Sequence, residues 1–188
     1  MSREGGTLVL SDLGSVNGVF LRLPRASNAT SGESTPGLIE VTLRDQDLIL
    51  IGQQVIRFEV VKDAEEGFGP AVQHGTLLFG TPAAPRYARL CQRTVEGVTR
   101  DVFHVRKIET FLGRESGDIV FTEDPFLSRR HALVRVDPAK KTFTLSDLGS
   151  SNGTFLQIRG DVTLKMGDEF RVGQQLFRVA PVPAQPSA

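Results

Sequence analysis

The sequence repeats itself, and this repeat constrains the fold more than any other feature. Residues 7–23 read TLVLSDLGSVNGVFLRL and residues 142–158 read TFTLSDLGSSNGTFLQI, with eleven identities in seventeen positions. Residues 41–58 match residues 162–179 at eight of eighteen positions. The two offsets are 135 and 121, so the first copy carries 135 − 121 = 14 additional residues between Pro24 and Glu40. A chain with such a repeat is expected to build the same structural unit more than once.

The two copies differ in extent. Strand-like sequence begins at about Arg86, well before the second copy, whereas only six residues precede Thr7 in the first. We therefore predict a partial repeat in residues 1–61, a linker in 62–85, a complete domain in 86–182 and a disordered tail in 183–188. A partial copy would expose apolar edges. This predicts either a start codon further upstream or packing of the first copy against the second, with self-association as a further expectation.

Short segments of alternating or β-branched residues, bounded by Gly, Pro, Asp or Asn, predict an all-β fold. Their number and even spacing favour a β-sandwich or barrel, and long helical periodicity is absent. In the second copy the predicted strands are Ala88–Gln92, Asp101–Val105, Ile108–Leu112, Asp118–Phe121, His131–Val136, Thr142–Ser146, Thr154–Ile158, Glu169–Val172 and Leu176–Ala180.

Charge and cysteine content narrow the class of partner. Twenty-two basic and twenty-two acidic residues cancel, so no overall field attracts the chain to nucleic acid or to an anionic membrane. The single cysteine excludes an internal disulfide framework and fits a reducing compartment. The N-terminus does not resemble a secretory signal. We therefore expect a cytoplasmic protein without metal or cofactor.

Three clusters of polar residues fall in the turns between predicted strands. They are Gly113-Arg114, Ser128-Arg129-Arg130-His131 and Ser150-Ser151-Asn152-Gly153. Turns at one end of a sandwich converge, so these clusters would bring together guanidinium groups, hydroxyls, an amide and backbone N–H groups. A phosphate monoester, with a charge of roughly −1.5 to −2 at neutral pH, suits such a set of donors.

The order of these clusters resembles the forkhead-associated (FHA) family of phosphothreonine-recognising β-sandwiches. The resemblance spans residues 86–182 and rests on Gly113-Arg114, Ser128-x-x-His131 and the run from Asp147 to Gly153. It implies a phosphothreonine-containing protein or peptide as ligand, a Ser/Thr protein kinase as an associated partner, and a preference for phosphothreonine over phosphoserine.

The resemblance also implies a role for each residue. Arg114 and Ser128 would contact the phosphate, with Arg129 as a further contact. Asn152 would bond the ligand main chain, and Ser151 would support it or the phosphate. The remaining implied residues are structural: His131 would brace the Ser128 loop, and Gly113 and Gly153 would permit the turns.

The first copy contains only the C-terminal part of this pattern. Asn17 recurs, but Val16 replaces Ser151, and the equivalents of Arg114, Ser128 and His131 would precede Met1. We therefore predict one phosphate site per chain. Two threonines followed by proline, Thr35 and Thr81, are candidate phosphorylation sites that could act as internal ligands or recruit another molecule.

Two other functions are compatible with parts of the sequence. Residues 149–153 match the G-x-S-x-G pattern of hydrolases, but that motif requires a following helix and a later histidine. A strand is predicted after Ser151 and no histidine follows it, so we expect no enzymatic activity. A scaffold that assembles proteins without reading phosphate stays open as the alternative function.

Overall fold

The computed structural model describes residues 7–24, 38–61, 72–80 and 85–181. Within these ranges every regular element is a β-strand, so the all-β prediction is confirmed. The strands are β1 (Leu8–Leu10), β2 (Val19–Arg22), β3 (Val41–Leu43), β4 (Leu48–Ile51), β5 (Gln54–Val60), β6 (Val72–Gln73), β7 (Thr76–Leu77), β8 (Ala88–Arg93), β9 (Thr99–Val105), β10 (Glu109–Gly113), β11 (Ile119–Val120), β12 (Ala132–Asp137), β13 (Thr142–Asp147), β14 (Thr154–Gln157), β15 (Val162–Leu164), β16 (Glu169–Val172) and β17 (Gln175–Arg178).

A β-sandwich surrounds the main core. One layer is a five-stranded sheet in the order β11-β10-β12-β13-β3, and the other is formed by β14-β4-β5-β8-β9 within an eight-stranded sheet. Apolar side chains from both layers form one buried cluster, in which the Phe58 ring of β5 meets the Phe143 ring of β13 edge-on with 5.1 Å between centroids. We call this unit the site-bearing sandwich, because the three polar turns of the second copy lie on it.

The site-bearing sandwich takes three of its strands from the first copy. β3 pairs with β13, while β4 pairs with β14 and β5 pairs with β8. The corresponding strands of the second copy pair in turn with the first: β15 pairs with β1, and β16 pairs with β2. The registers agree as well. Phe143 lies opposite Leu43, and their equivalents in the repeat, Leu8 and Leu164, also lie opposite each other. The two copies have therefore exchanged their last three strands within one chain.

The exchange centres on the contact between β2 and β14. These strands are equivalent in the repeat and pair antiparallel, with Leu21 opposite Leu156. Because these residues are 135 positions apart, each faces its own counterpart across a local two-fold axis. This pairing extends the sheet to eight strands, with β16 and β17 beyond β2.

The predicted division into residues 1–61, 62–85 and 86–182 follows the repeat in the sequence, whereas the sheets join strands across it. The physical reason is that the two hairpins, β4–β5 and β16–β17, share one pattern and can pair in equivalent places. Between the copies, β6 and β7 form a short exposed hairpin. Thr35, Thr81, most of the insertion and the predicted tail lie outside the described residues.

The predicted strands of the second copy agree with the structure to within a few residues at each end. Ala88–Gln92 extends to Arg93, and Leu176–Ala180 is displaced to Gln175–Arg178. No helix in the described ranges is long and apolar enough to cross a membrane.

Candidate functional site

The three polar turns lie beside one another at one end of the site-bearing sandwich. The backbone N–H of Arg114 donates to the Ser128 carbonyl at 3.0 Å, which joins the first turn to the second. The backbone N–H of Ser151 donates to Ser128 Oγ at 3.1 Å, which joins the second turn to the third. The structure thus brings together all three sequence clusters.

Two guanidinium groups share one carboxylate at this end. Arg114 donates to Glu115 Oε1, with Nη2 at 2.6 Å, and Arg129 Nε lies 3.1 Å from Glu115 Oε2. The Arg129 side chain is largely exposed, while that of Arg114 is about one-third exposed. Both cations therefore face solvent close enough together to bind a single oxyanion.

The hydroxyl and amide of the site keep unused hydrogen-bonding capacity. Ser128 Oγ accepts from Ser151 N, which leaves its own hydrogen able to donate. Asn152 Nδ2 donates to the Phe126 carbonyl at 2.8 Å, which fixes the amide plane. The Asn152 oxygen and second N–H are then oriented for a further partner such as a peptide backbone.

A buried histidine ties two of the turns together. The backbone N–H of Ser128 donates to His131 Nδ1 at 3.1 Å, so the ring proton is on Nε2, which donates to the Gly153 carbonyl at 3.1 Å. Burial lowers the pKa of His131, although the Gly153 carbonyl and the Asp147 carboxylate act in the opposite direction. The neutral imidazole is therefore a structural link and lies beneath the site.

The turn from Asp147 to Gly153 is held by its own side chains. The buried Asp147 carboxylate accepts from the Ser150 hydroxyl at 2.5 Å and from Thr154 Oγ1 at 2.8 Å. Ser150 Oγ in turn accepts from Gly153 N at 2.9 Å. The first copy repeats this arrangement, with Gly18 N donating to Ser15 Oγ at 3.0 Å. The turn therefore belongs to the scaffold in both copies.

Glycine is required at position 113 because the backbone of the second turn approaches it closely. A Cβ atom at this position would overlap the carbonyl oxygen of Arg129. The guanidinium of Arg130, by contrast, lies over the Phe111 ring, 4.0 Å from its centre. The structure thus separates Arg129, which lies at the site, from its neighbour.

Two residues at the site were not identified from the sequence. Glu115 bridges the arginines, and Asp124 connects the loop before Ser128 to the first copy. The buried Asp124 carboxylate accepts from Gln53 N at 2.8 Å and from Gln54 Nε2 at 2.7 Å. The Gly-Gln-Gln triplet that both hairpins contain was the sequence signal that could have identified the connection through Asp124.

Groups of three or more metal-ligating side chains do not occur among the described residues. The chemistry of the site is that of a cationic, donor-rich surface beside an exposed amide.

Comparisons with known proteins match one part of the chain to a known domain family. The FHA domain model matches residues 110–173, which include the three turns. An oxoglutarate dehydrogenase inhibitor of Corynebacterium efficiens is 36% identical over 67 residues, covering 35% of this chain and 46% of the relative. The inhibitor of the same name from Corynebacterium glutamicum is 34% identical over 67 residues, with the same coverage of 35% and 46%. The match thus spans about half the length of these curated relatives.

A solved structure, Mycobacterium tuberculosis EmbR in complex with a low affinity phosphopeptide, is 24% identical, with a TM-score of 0.26 and coverage of 48% of this chain and 27% of that one. The family match and the all-β sandwich agree with the resemblance seen in the sequence. Residues 110–173 of this chain therefore match the FHA domain.

Proposed function

We propose that the site binds phosphothreonine-containing peptides, and that the chain acts by binding rather than by catalysis. The observation that carries the proposal is the shared carboxylate. Glu115 lies between Arg114 and Arg129, so both cations can approach one anion at hydrogen-bonding distance. A phosphate monoester has more charge and more acceptor oxygens than a carboxylate and would replace Glu115 between the arginines.

The remaining contacts suit the rest of a phosphopeptide. The Ser128 hydroxyl, held by Ser151 N, would donate to a phosphate oxygen. The Asn152 amide, held by Phe126, would bond the backbone next to the modified residue. The ligand would be a protein modified by a Ser/Thr kinase, with phosphothreonine preferred over phosphoserine as the family resemblance implies.

Fluorescence polarisation with a labelled phosphothreonine peptide tests the proposal, with the unphosphorylated and phosphoserine forms as comparison ligands. Arg114→Ala should weaken binding at least about tenfold, since a hydrogen bond to a charged group contributes roughly 1.5–3 kcal/mol. Arg130→Ala is the matched control, because it removes the same charge from a side chain that lies on Phe111. That variant should bind within about twofold of the parent, as expected for an exposed charge that is screened by salt and does not contact the ligand.

Glu115→Gln gives a change in the opposite direction. The substitution removes a negative charge that competes with the ligand for Arg114 and Arg129, so the affinity for phosphopeptide should rise. Equal binding of phosphorylated and unphosphorylated peptides would show that the chain is a phosphate-independent scaffold. Equal losses from Arg114→Ala and Arg130→Ala would show that Arg114 has no specific contact with the phosphate.

A further inference from the structure

One part of the structure has the form of an unfinished sandwich. The strands β1, β2, β15, β16 and β17 reproduce the arrangement of β13, β14, β3, β4 and β5 in the same registers. We call these five strands the open half. In the site-bearing sandwich the equivalent strands are covered by β8–β12, whereas the described residues contain one such set of covering strands.

The faces of the two sets differ in exposure at equivalent positions. Ile49 and Ile56 form a cross-strand pair that is fully buried. Their equivalents in the open half, Phe170 and Phe177, also pair and stack, with centroids 5.3 Å apart, but Phe177 is 47% exposed. Leu8 is 51% exposed, whereas its equivalent Phe143 is 6% exposed. The open half therefore exposes apolar side chains at positions whose equivalents form the core of the site-bearing sandwich.

The edges of the open half are unoccupied at the matching places. In the site-bearing sandwich β5 pairs with β8, and β13 pairs with β12. Among the described strands, β17 pairs only with β16 and β1 pairs only with β15. Two strand edges with unpaired backbone groups therefore flank the exposed apolar face.

The open half also keeps the polar groups that attach the covering strands. In the site-bearing sandwich Gln53 N and Gln54 Nε2 donate to Asp124, which lies between β11 and β12. The repeat places Gln174 and Gln175 at the equivalent positions, and both are exposed. The open half thus carries the same donors in the same turn.

We propose that the open half binds a polypeptide segment with the pattern of β8–β12, that is, the N-terminal half of an FHA sandwich. Such a segment would add one strand to each edge and cover Leu8 and Phe177. It would also place a carboxylate equivalent to Asp124 against the two glutamines. A second copy of this chain does not supply it, because each copy has one β8–β12 set among its described residues and that set already covers β3–β5.

A chimera tests this proposal on the full chain. A second copy of residues 86–141 is placed directly before Thr7, which is the equivalent of Thr142, so the graft leads into β1 as β12 leads into β13. Hydrogen exchange by mass spectrometry then compares β16 and β17 in the chimera and in the parent. We expect exchange in these strands to slow at least about tenfold, as amides join a covered sheet. Binding of an apolar-surface dye such as anilinonaphthalene sulfonate should fall.

The matched control is the same chimera with Val134→Asp in the grafted segment only, at a position that is fully buried in the site-bearing sandwich. This variant should exchange in β16 and β17 at the parent rate. The proposal is overturned if the unmodified graft also leaves exchange and dye binding at parent values. It is equally overturned if the parent alone dimerises in sedimentation experiments and protects β16 and β17 as its concentration rises, because a second copy would then be the occupant.

Discussion

Substitutions at two equivalent positions of the repeat test which hairpin completes the site-bearing sandwich. Ile56 and Phe177 are 121 residues apart and correspond in the repeat, but Ile56 is fully buried and Phe177 is not. Replacing a buried isoleucine by alanine costs about 2–5 kcal/mol, since apolar transfer and a cavity both contribute. Full burial of a phenylalanine contributes roughly 1.5–3 kcal/mol, so a half-exposed ring with no cavity term accounts for about 1 kcal/mol. Ile56→Ala should therefore destabilise the sandwich much more than Phe177→Ala.

Tyr87 provides a specific signal for this comparison. The chain has one tyrosine and no tryptophan, and Tyr87 packs against the core of the site-bearing sandwich at the start of β8. Urea unfolding followed by tyrosine fluorescence therefore reports on this sandwich. The transition of Ile56→Ala should move to lower urea, and that of Phe177→Ala should stay close to the parent. The reverse order, with a cost of about 3–5 kcal/mol for a buried phenylalanine, would show that β16–β17 and not β4–β5 lies beside β8, and would refute the exchange.

Three further perturbations test the contacts around the site by the same urea unfolding experiment. Gly113→Ala should cost about 1–3 kcal/mol, because the new methyl overlaps a backbone carbonyl, while Gly160→Ala enters open space and should stay within about 0.5 kcal/mol. Because burial lowers the pKa of His131, this histidine is protonated in the unfolded chain at a higher pH than in the folded chain. The free energy of unfolding should be level above the ordinary histidine pKa of about 6.5 and fall as the pH drops below it, and His131→Gln should flatten this slope. Asp124→Ala should cost about 2 kcal/mol, since it removes a charged acceptor shared by the Gln53 backbone N–H and the Gln54 side chain of the first copy. A loss no larger than that of an exposed substitution would show that this link does not stabilise the loop.

The sequence was sufficient to predict the class of fold and the position of the polar turns. Period-two patterning and turn residues locate strands locally, and each of the three clusters lies at the end of a predicted strand. Arg114, Ser128 and Asn152 could therefore be brought together by topology alone.

The partners of the strands could not be predicted in the same way. The segments β3–β5 and β15–β17 both contain Val-Thr-Leu and Gly-Gln-Gln, so the sequence pattern allows either set of three strands to occupy either place in the fold. The role of Asp124 depends on that choice, because its partner Gln53 is 71 residues away and belongs to the other copy. Glu115 was missed for a simpler reason: a single acidic residue in a turn gives no indication of which cations it will face.

The exchange of strands also determines when the site can form during synthesis. Translation proceeds at about 5–20 residues per second, and N-terminal segments fold first where they can. Here β3–β5 leave the ribosome well before β8–β14, so they must wait, with Ile49 and Ile56 uncovered, for strands made later. The three polar turns are complete once Gln157 has emerged, while β15–β17 are still to come. A nascent chain can therefore form its site-bearing sandwich before β16–β17 has been synthesised. Because β4–β5 is made first, it can take its place in the sandwich before the equivalent hairpin is present to compete for it.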